Sequence, residues 1–186
     1  MKKKISTLLV LVLVVCTLFA TTGCSKVNDD TDKKALLVVS FGSSFIENRE
    51  AAIDATEKVI ADAFSDYDMY RAFTSQTIID IYAERDDVQI DNVEQAMQKI
   101  YDEGYGEVLV VPTLIINGEE KSEMDAQLEP FMDKFEKITV STPLLEKYED
   151  YVALVEALSK EIPETSSEHA VVLMGHGTPH LGNSAY

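Results

Sequence analysis

The sequence predicts an α/β fold with a doubly wound parallel sheet, and three observations support this prediction. Short unbroken apolar runs alternate along the chain with segments in which apolar residues recur every three or four positions. Unbroken runs are typical of parallel strands buried on both faces, and the second spacing is typical of amphipathic helices. Third, the run Ala35–Gly42 returns near the end of the sequence as Ala170–Gly177. Strands that alternate with helices form one parallel sheet with helices on both faces.

Both copies of this repeat have the same order of residue types. Each has an alanine, four apolar residues, a small residue, a ring, a glycine and a hydroxyl residue, and the two rings are Phe41 and His176. Glycine lets the backbone turn tightly or approach a ligand, and ligands of open α/β sheets lie beyond the carboxyl ends of the strands. The pattern makes His176 a candidate functional residue, although a turn histidine without a role fits it equally well.

The first strand is predicted at Leu36–Val39, and a helix follows the short loop Gly42–Ser44. The inward face of this helix is predicted to consist of five residues at spacings of three and four: Ile53, Thr56, Ile60, Ala63 and Phe64. Asp68–Phe73 is predicted as the second strand. The helix after it is expected to start at an N-cap formed by Thr74 or Ser75 and to bury Ile78, Ile79 and Tyr82.

The next helix is expected to start at a capping box formed by Asp91 and Glu94 and to stop at Gly104. Glu107–Val111 is predicted as the third strand, and the helix that follows has acidic residues in its first turn, where they complement the helix dipole. Pro130 is expected to kink or split that helix.

Lys137–Thr142 is predicted as the fourth strand, and a last helix is expected from about Glu146 to a point before Pro163. Five of its apolar residues are predicted to face inward: Tyr148, Tyr151, Val152, Val155 and Leu158. Residues 34–162 therefore form a complete first α/β domain, and residues 163–186 form a hinge and the start of a second one. We expect the sequence to be a piece of a two-domain protein or a truncated product, with the second domain only begun.

The composition of this 186-residue chain excludes some classes of partner and of metal site. It has 33 Asp and Glu against 16 Lys and Arg, and this acidic balance argues against nucleic acid as a partner. A solvated acidic face is the simplest explanation of the excess charge. The two cysteines are Cys16 and Cys24, so the region after residue 24 has neither an internal disulfide nor a thiolate metal cage.

Residues 1–23 are predicted to be a signal peptide rather than part of the fold. Lys2–Lys4 form a basic start, and the apolar stretch Ile5–Ala20 is short for a transmembrane helix. The residues before Cys24 resemble a bacterial lipoprotein signal, in which the new N-terminal cysteine thiol carries lipid. A polar linker, residues 24–33, would then tether the domain to the outer side of the cell membrane. Ordinary secretion with an unmodified Cys24 is the alternative.

Six short segments, spread in order over the chain after residue 34, together resemble the class II chelatases. They are Ala35–Ser44, Arg71–Ser75, Ile115–Glu120, Thr142–Leu145, Asp150–Val152 and Met174–Gly177. The closest resemblance is to the anaerobic cobalt chelatases of cobalamin synthesis, which act on sirohydrochlorin or its reduced precursor, precorrin-2. The resemblance implies two similar α/β domains with a tetrapyrrole bound in the cleft between them.

The resemblance also implies a set of site residues. It makes His176 a metal ligand and the proton acceptor, and it places a glutamate and a second histidine ligand after Tyr186. It implies tetrapyrrole contacts in the first domain and beside the histidine: Phe41, Gly42, Ser43, Thr74, Ser75 and Gly177. Family members commonly have a histidine where this chain has Leu114, and leucine can neither bind a metal nor accept a proton. The implied metal is a divalent substrate, Co(II) first and Ni(II) or Fe(II) as alternatives, with no organic cofactor.

Imidazole suits this chemistry because its reference pKa, ~6.5, lets it accept a pyrrole proton near neutral pH. Neutral imidazole also binds Co(II), Ni(II) and Fe(II), and affinity alone does not choose among them. His180 is expected to be a helper or solvent-facing, and His169 structural. Two functions stay open: a cobalt chelatase outside the cytoplasm, or a lipid-anchored carrier of tetrapyrrole, haem or metal that does not catalyse. A homo-oligomer is compatible with both.

Overall fold

The computed structural model describes residues 32–163, 168 and 170–177. Four parallel strands form one sheet in the order β2-β1-β3-β4. Their bounds are β1 Lys34–Ser40, β2 Asp68–Phe73, β3 Glu107–Pro112 and β4 Lys137–Val140. Leu36 of β1 pairs with Met69 of β2 on one side and with Leu109 of β3 on the other. The predicted α/β fold with a parallel sheet is confirmed, and β1 is one of its two interior strands, with β3 as the other.

Helices connect the strands. The connection from β1 to β2 has three consecutive helical parts, α1 (Ile46–Asn48), a π-helix (Arg49–Asp54) and α2 (Ala55–Ala63). The later helices are α3 (Gln76–Asp86), α4 (Val93–Asp102), α5 (Glu119–Leu128) with a 3₁₀ turn (Glu129–Phe131), and α6 (Tyr148–Glu161). The helix α5 ends two residues before Pro130, as a proline that splits the helix predicts.

The main core lies between one face of the sheet and the helices α4 and α5. Ala35, Leu37 and Val39 of β1 contribute to it, together with alternate residues of β3. The helices contribute Val93, Ala96, Met97, Ile100, Met124 and Leu128. Each fully buried large aliphatic side chain stabilises the fold by about 1.5–3 kcal/mol relative to an exposed one. This burial is what holds β1 in the interior of the sheet.

The helix after β1 buries only part of the predicted face. Ile53 and Ile60 are half-buried, but Thr56 and Phe64 are exposed, and the most buried residue of α2 is Glu57. Glu57 is buried because its carboxylate pairs with Arg71 of β2, a contact that apolar spacing does not reveal. The sequence prediction for this face was therefore right for Ile53 and Ile60 and wrong for Thr56, Ala63 and Phe64.

Two helix starts test the predicted caps. Ser75 is the N-cap of α3, and its hydroxyl accepts a hydrogen bond from the Ile78 backbone N–H. The capping box of α4 lies one residue later than predicted, because Asn92 and Gln95 make the reciprocal hydrogen bonds at 2.9 Å. The amide side chains of Asn92 and Gln95 thus form the capping box that the sequence analysis assigned to the carboxylates of Asp91 and Glu94.

The apolar face of α6 is exposed, although it was predicted to face inward. Tyr148, Val152, Val155 and Leu158 are all exposed, and of the five predicted residues only Tyr151 is partly buried. Helical spacing identifies an apolar face but does not determine whether another element covers it. Among the described residues, none of α6 is fully buried.

The second copy of the repeat does not form the predicted strand. Residues 170–177 have no regular secondary structure, and the side chains of Val171–Met174 are exposed. None of the four described strands pairs with this segment, and a strand without neighbours leaves its backbone and both faces in water. The second domain at residues 163–186 stays a prediction.

Several other sequence predictions lie outside the described residues. These are the signal peptide, Cys24 and most of the linker, together with His169 and His180. In the part of the chain that the structure describes, no helix combines the length and apolar character needed to cross a membrane.

Candidate functional site

The carboxyl ends of the strands bring together five residues that the sequence analysis assigned to tetrapyrrole contact. Phe41, Gly42 and Ser43 follow β1, whereas Thr74 and Ser75 follow β2. The Thr74 backbone N–H donates to the carbonyl oxygen of Ser40 at 2.9 Å, and that of Ser75 donates to Phe41 at 3.3 Å. These bonds continue the pairing of β1 with β2 past the ends of the strands, so the two loops lie side by side.

Gly42 allows this close approach for two reasons. Its φ of +102° is a conformation that residues with a side chain rarely adopt. A Cβ atom on Gly42 would also lie 2.8 Å from Cδ2 of Phe73 and 3.1 Å from Cγ2 of Ile78. The glycine therefore lets the chain turn directly against β2 and α3.

Hydroxyl groups line the base of this edge. The Ser40 hydroxyl is buried and lies 2.8 Å from the Thr113 hydroxyl, which joins the ends of β1 and β3. The Thr74 hydroxyl oxygen is buried and has no hydrogen-bond partner within the described residues. Because buried polar atoms are nearly always hydrogen-bonded, Thr74 is a candidate for contact with a bound ligand or water.

Large apolar side chains form an exposed rim around the same edge. We define the apolar rim as the five residues Phe41, Phe45, Ile46, Ile115 and Leu144, which follow β1, β3 and β4. Phe45 is the most exposed, at 70%. Exposed apolar groups clustered in this way mark binding surfaces. The sequence analysis named only Phe41 as a contact, because the other four follow a strand by several residues and have no spacing that sets them apart from core residues.

A cleft of about 570 Å³ opens beside the apolar rim. One wall is the π-helix and α2, which contribute Ile53 and Ile60, and the other is formed by the ends of β3 and β4 with Pro143 and Leu144. Small-molecule sites typically have volumes of about 300–1,000 Å³ and mostly apolar walls. The cleft and the rim together offer a large apolar surface at the edge where ligands of α/β sheets bind.

His176 lies on the exposed segment 170–177. Its ring Nδ1 is 2.7 Å from the carbonyl oxygen of Gly177, so this hydrogen bond requires the proton to be on Nδ1. The neutral tautomer with this proton has its lone pair on Nε2, which is the form of imidazole that binds metals or accepts a proton. Gly177 has a φ of +72°, a positive value like that of its counterpart Gly42.

The described residues provide no complete metal cage. They contain no group of three or more His, Cys, Asp or Glu side chains that could hold a metal ion. Leu114 is buried behind the end of β3, and its carbonyl oxygen accepts a hydrogen bond from the Leu144 N–H at 3.0 Å. The backbone of Leu114 therefore joins the loop after β3 to the loop after β4.

A buried ion pair supports the helical connection next to the site. Nε of Arg71 on β2 donates to both carboxylate oxygens of Glu57 at 2.8 and 2.9 Å, and Arg71 also pairs with Asp54 of the π-helix. The hydrogen bond to Glu57 is the main reason that the pKa of Arg71 is raised. Removal of Arg71 would leave the buried Glu57 carboxylate without its partner, which is strongly destabilising, whereas Arg71 is partly exposed and keeps Asp54 as a second partner. The sequence analysis did not find this pair, since its members are 14 residues apart on different elements.

Comparison with known proteins adds the following findings. A family model described as cobalt chelatase (CbiK) matches residues 34–186. The sirohydrochlorin cobaltochelatase of Salmonella typhimurium strain LT2 is 40% identical over 154 residues, which are 83% of this chain and 58% of that protein. The sirohydrochlorin cobaltochelatase CbiKC of Nitratidesulfovibrio vulgaris strain Hildenborough is 32% identical over 157 residues, 83% of this chain and 55% of that protein. The chain thus spans little more than half the length of these curated relatives.

Proposed function

Because the chain belongs to the cobalt chelatase (CbiK) family, we propose that its protein inserts Co(II) into sirohydrochlorin or its reduced precursor, precorrin-2. The observation that carries this proposal is the apolar rim beside the close-packed loops after β1 and β2. A tetrapyrrole is a large flat ring system, and an exposed apolar surface with a few hydroxyl groups suits its face and its polar substituents. The names of the two relatives supply the metal and the substrate class.

We assign to His176 the roles of metal ligand and proton acceptor. Insertion of a divalent ion forms metal–nitrogen bonds and releases two pyrrole protons, so the site needs a base. Nε2 of a neutral imidazole can accept one of these protons or bind the incoming ion. The Nδ1 contact with Gly177 favours the tautomer that these roles need. Co(II) is the expected metal, and Ni(II) or Fe(II) are alternatives for the same ligand.

The test is the insertion of Co(II) into sirohydrochlorin, followed by absorbance, with the full-length protein as wild type, His176→Ala and His180→Ala. Loss of a positioned base typically costs ~10²–10⁴-fold in rate, so His176→Ala should lose most of the activity. His180→Ala should change the rate much less, and the 186-residue chain alone should show little activity because the second domain is missing. Equal rates for wild type and His176→Ala would contradict the roles assigned to His176.

A carrier without catalysis is the second candidate, and two features favour it. Leu114 provides no metal ligand where family members commonly have a histidine, and the lipoprotein-like start would separate the domain from the cytoplasm. A carrier would bind sirohydrochlorin or haem when either is titrated into the protein. It would leave the metal content of the bound tetrapyrrole unchanged. Saturable binding without insertion would therefore replace the first candidate with the second.

We also propose that Cys24 becomes the lipidated N-terminus and anchors the domain outside the cell membrane. The support is the order of the basic residues, the apolar stretch and Gly23–Cys24. Expression with a labelled fatty acid should mark the wild-type protein and leave Cys24→Ser unlabelled. Label that persists on Cys24→Ser would contradict the anchor.

A further inference from the structure

The residues Ser43–Arg49 form an arch between β1 and the π-helix, and Tyr82 of α3 contacts both of its ends. The Tyr82 hydroxyl donates to the carbonyl oxygen of Ser43 at 2.9 Å. The guanidinium of Arg49 lies over the Tyr82 ring, 5.5 Å from its centroid. Only 1% of Tyr82 is exposed, and its ring also packs against Phe73. One rigid, buried side chain thus holds the first and the last residue of the arch.

Arg85, one helical turn after Tyr82, fixes a further point of the arch. Its Nη1 donates to the carbonyl oxygen of Ser44 at 2.9 Å. Its Nε and Nη2 donate to the two carboxylate oxygens of Asp86 at 2.9 and 2.6 Å. This fork-to-fork pairing orients the planar guanidinium, so that the remaining donor points at the arch.

Two exposed residues of the apolar rim, Phe45 and Ile46, lie on this arch. Phe45 and Ile46 extend from a backbone whose neighbours on both sides are held by α3. Within the arch, the Phe45 carbonyl oxygen accepts from the Arg49 N–H at 3.0 Å, which adds a further local restraint. An exposed aromatic ring on a restrained backbone loses less entropy when it contacts a ligand than one on a mobile loop.

From these contacts we propose that Phe45 is a binding residue for the face of the tetrapyrrole and that Tyr82 and Arg85 are its positioning residues. This inference rests on the proposed function for the identity of the ligand. The Phe45 contact adds a residue from the segment after β1 to the tetrapyrrole contacts that the sequence analysis assigned. The anchoring by α3 does not depend on the ligand and can be tested separately.

Hydrogen exchange followed by mass spectrometry on the unliganded 186-residue chain tests the anchoring. Tyr82→Phe removes one hydroxyl and keeps the ring, so amide exchange in residues 41–49 should become about five-fold faster, as expected for the loss of one hydrogen bond. The matched control is Tyr105→Phe, which removes the hydroxyl bonded to Asp68 at the opposite end of the sheet. Arg85→Ala should also speed amide exchange in residues 41–49. Arg85→Lys keeps the positive charge and should restore part of the protection from exchange. Equal exchange in Tyr82→Phe and wild type would overturn the anchoring.

Titration of sirohydrochlorin into the full-length protein, which includes the second domain, tests the contact by the change in absorbance. Phe45→Ala should weaken binding about ten-fold, as expected when a large apolar side chain loses its burial. The control is Phe64→Ala, a partly exposed ring after α2 that lies towards the opposite end of the sheet. Tyr82→Phe should weaken binding less than Phe45→Ala and more than Tyr105→Phe.

The outcomes separate the inference from the function on which it rests. If the wild-type chain binds and Phe45→Ala binds equally well, the Phe45 contact is wrong while the proposed function survives. If the full-length wild-type protein, with its second domain, does not bind sirohydrochlorin, the proposed function and the Phe45 contact both fail. In that case the exchange measurement still decides whether Tyr82 and Arg85 position the arch.

Discussion

The two copies of the repeated segment have nearly the same order of residue types and opposite environments. In Ala35–Gly42 the four apolar residues are fully buried in β1, an interior strand of the sheet. In Ala170–Gly177 the corresponding residues are exposed, with values of 86% for Val172, 77% for Leu173 and 94% for Met174. The glycine that ends each copy nevertheless has a positive φ in both. The turn after the run is thus a local property, whereas burial depends on neighbouring strands and helices.

The difference can be assigned to specific contacts. β1 is hydrogen-bonded on one edge to β2 and on the other to β3, and the helices α4 and α5 cover one of its faces. The second copy has no such neighbours among the described residues. A strand gains most of its stability from cross-strand and face contacts rather than from its own sequence. Substitutions at equivalent positions of the two copies should therefore have unequal effects.

The largest difference is expected between Leu37→Ala and Val172→Ala, which occupy equivalent positions. Leu37 is fully buried, and truncation of such a leucine costs about 2–5 kcal/mol of unfolding free energy. Val172 is exposed, so its truncation should change the free energy by less than about 0.5 kcal/mol. Urea unfolding at pH 7 measures both. Similar losses in the two variants would show that the second copy is packed in solution.

Substitution of the two glycines should give the next largest difference. Gly42→Ala adds a Cβ that collides with Phe73 in a backbone conformation that disfavours side chains, so about 2–4 kcal/mol should be lost. In Gly177→Ala the only cost is the positive φ, about 1 kcal/mol. The segment around Gly177 adds little to stability, so its backbone can change conformation and lower this cost. The same urea titration compares the two. A larger loss of unfolding free energy in Gly177→Ala than in Gly42→Ala would contradict this prediction.

A smaller effect should come from the charged residues at the amino ends of the strands. The Glu107 carboxylate accepts from Lys137 at 2.6 Å and from the Tyr67 hydroxyl at 3.0 Å, and these bonds lower the pKa of Glu107. A lowered carboxyl pKa stabilises the fold above the unfolded-state pKa, ~4.3, and this contribution disappears as the pH falls through the folded-state pKa. Glu107→Gln should therefore be less stable than wild type at pH 7, and the difference should be smaller at pH 3, where the folded-state carboxyl begins to take up its proton. Chemical unfolding at both pH values checks this, with Glu136→Gln as control.

The smallest effect is expected when the second copy is removed. A chain that ends at Pro163 keeps every strand and every helix of the described sheet. Its free energy of unfolding should match that of the 186-residue chain within about 0.5 kcal/mol, and its unfolding should stay cooperative. An unfolded shorter chain would mean that the second copy belongs to the first sheet, and the domain boundary at residue 162 would be wrong.

Sequence reasoning succeeded where local signals decide the structure. The bounds of β2, Asp68–Phe73, and the N-cap at Ser75 follow from a short apolar run and from a hydroxyl before a helix. It failed in part at the inward face of α2, since apolar spacing cannot reveal that a glutamate, Glu57, is buried by its pairing with Arg71 of β2. It also failed for α6, because an apolar stripe does not reveal whether anything covers it.

The geometry around the proposed site could be anticipated only in part, for a similar reason. The family resemblance named Phe41, Gly42, Thr74 and Ser75, and because these residues directly follow neighbouring parallel strands, they lie at one edge of the sheet. Phe45 and its two anchors could not be found in this way. The contacts between the arch and α3 join residues about 40 positions apart, and only the folded chain brings them together.

The most direct test of the function assigned to the second copy is the variant His176→Phe of the full-length protein, which gives the second copy the ring that the first copy has at Phe41. We expect this variant to bind sirohydrochlorin within about three-fold of wild type, because the ring is kept and the rim is unchanged. Insertion of Co(II), followed by absorbance, should fall by ~10²–10⁴-fold, because ligand and base are both lost. Insertion at the wild-type rate by His176→Phe would contradict the role of this histidine and the account of the site.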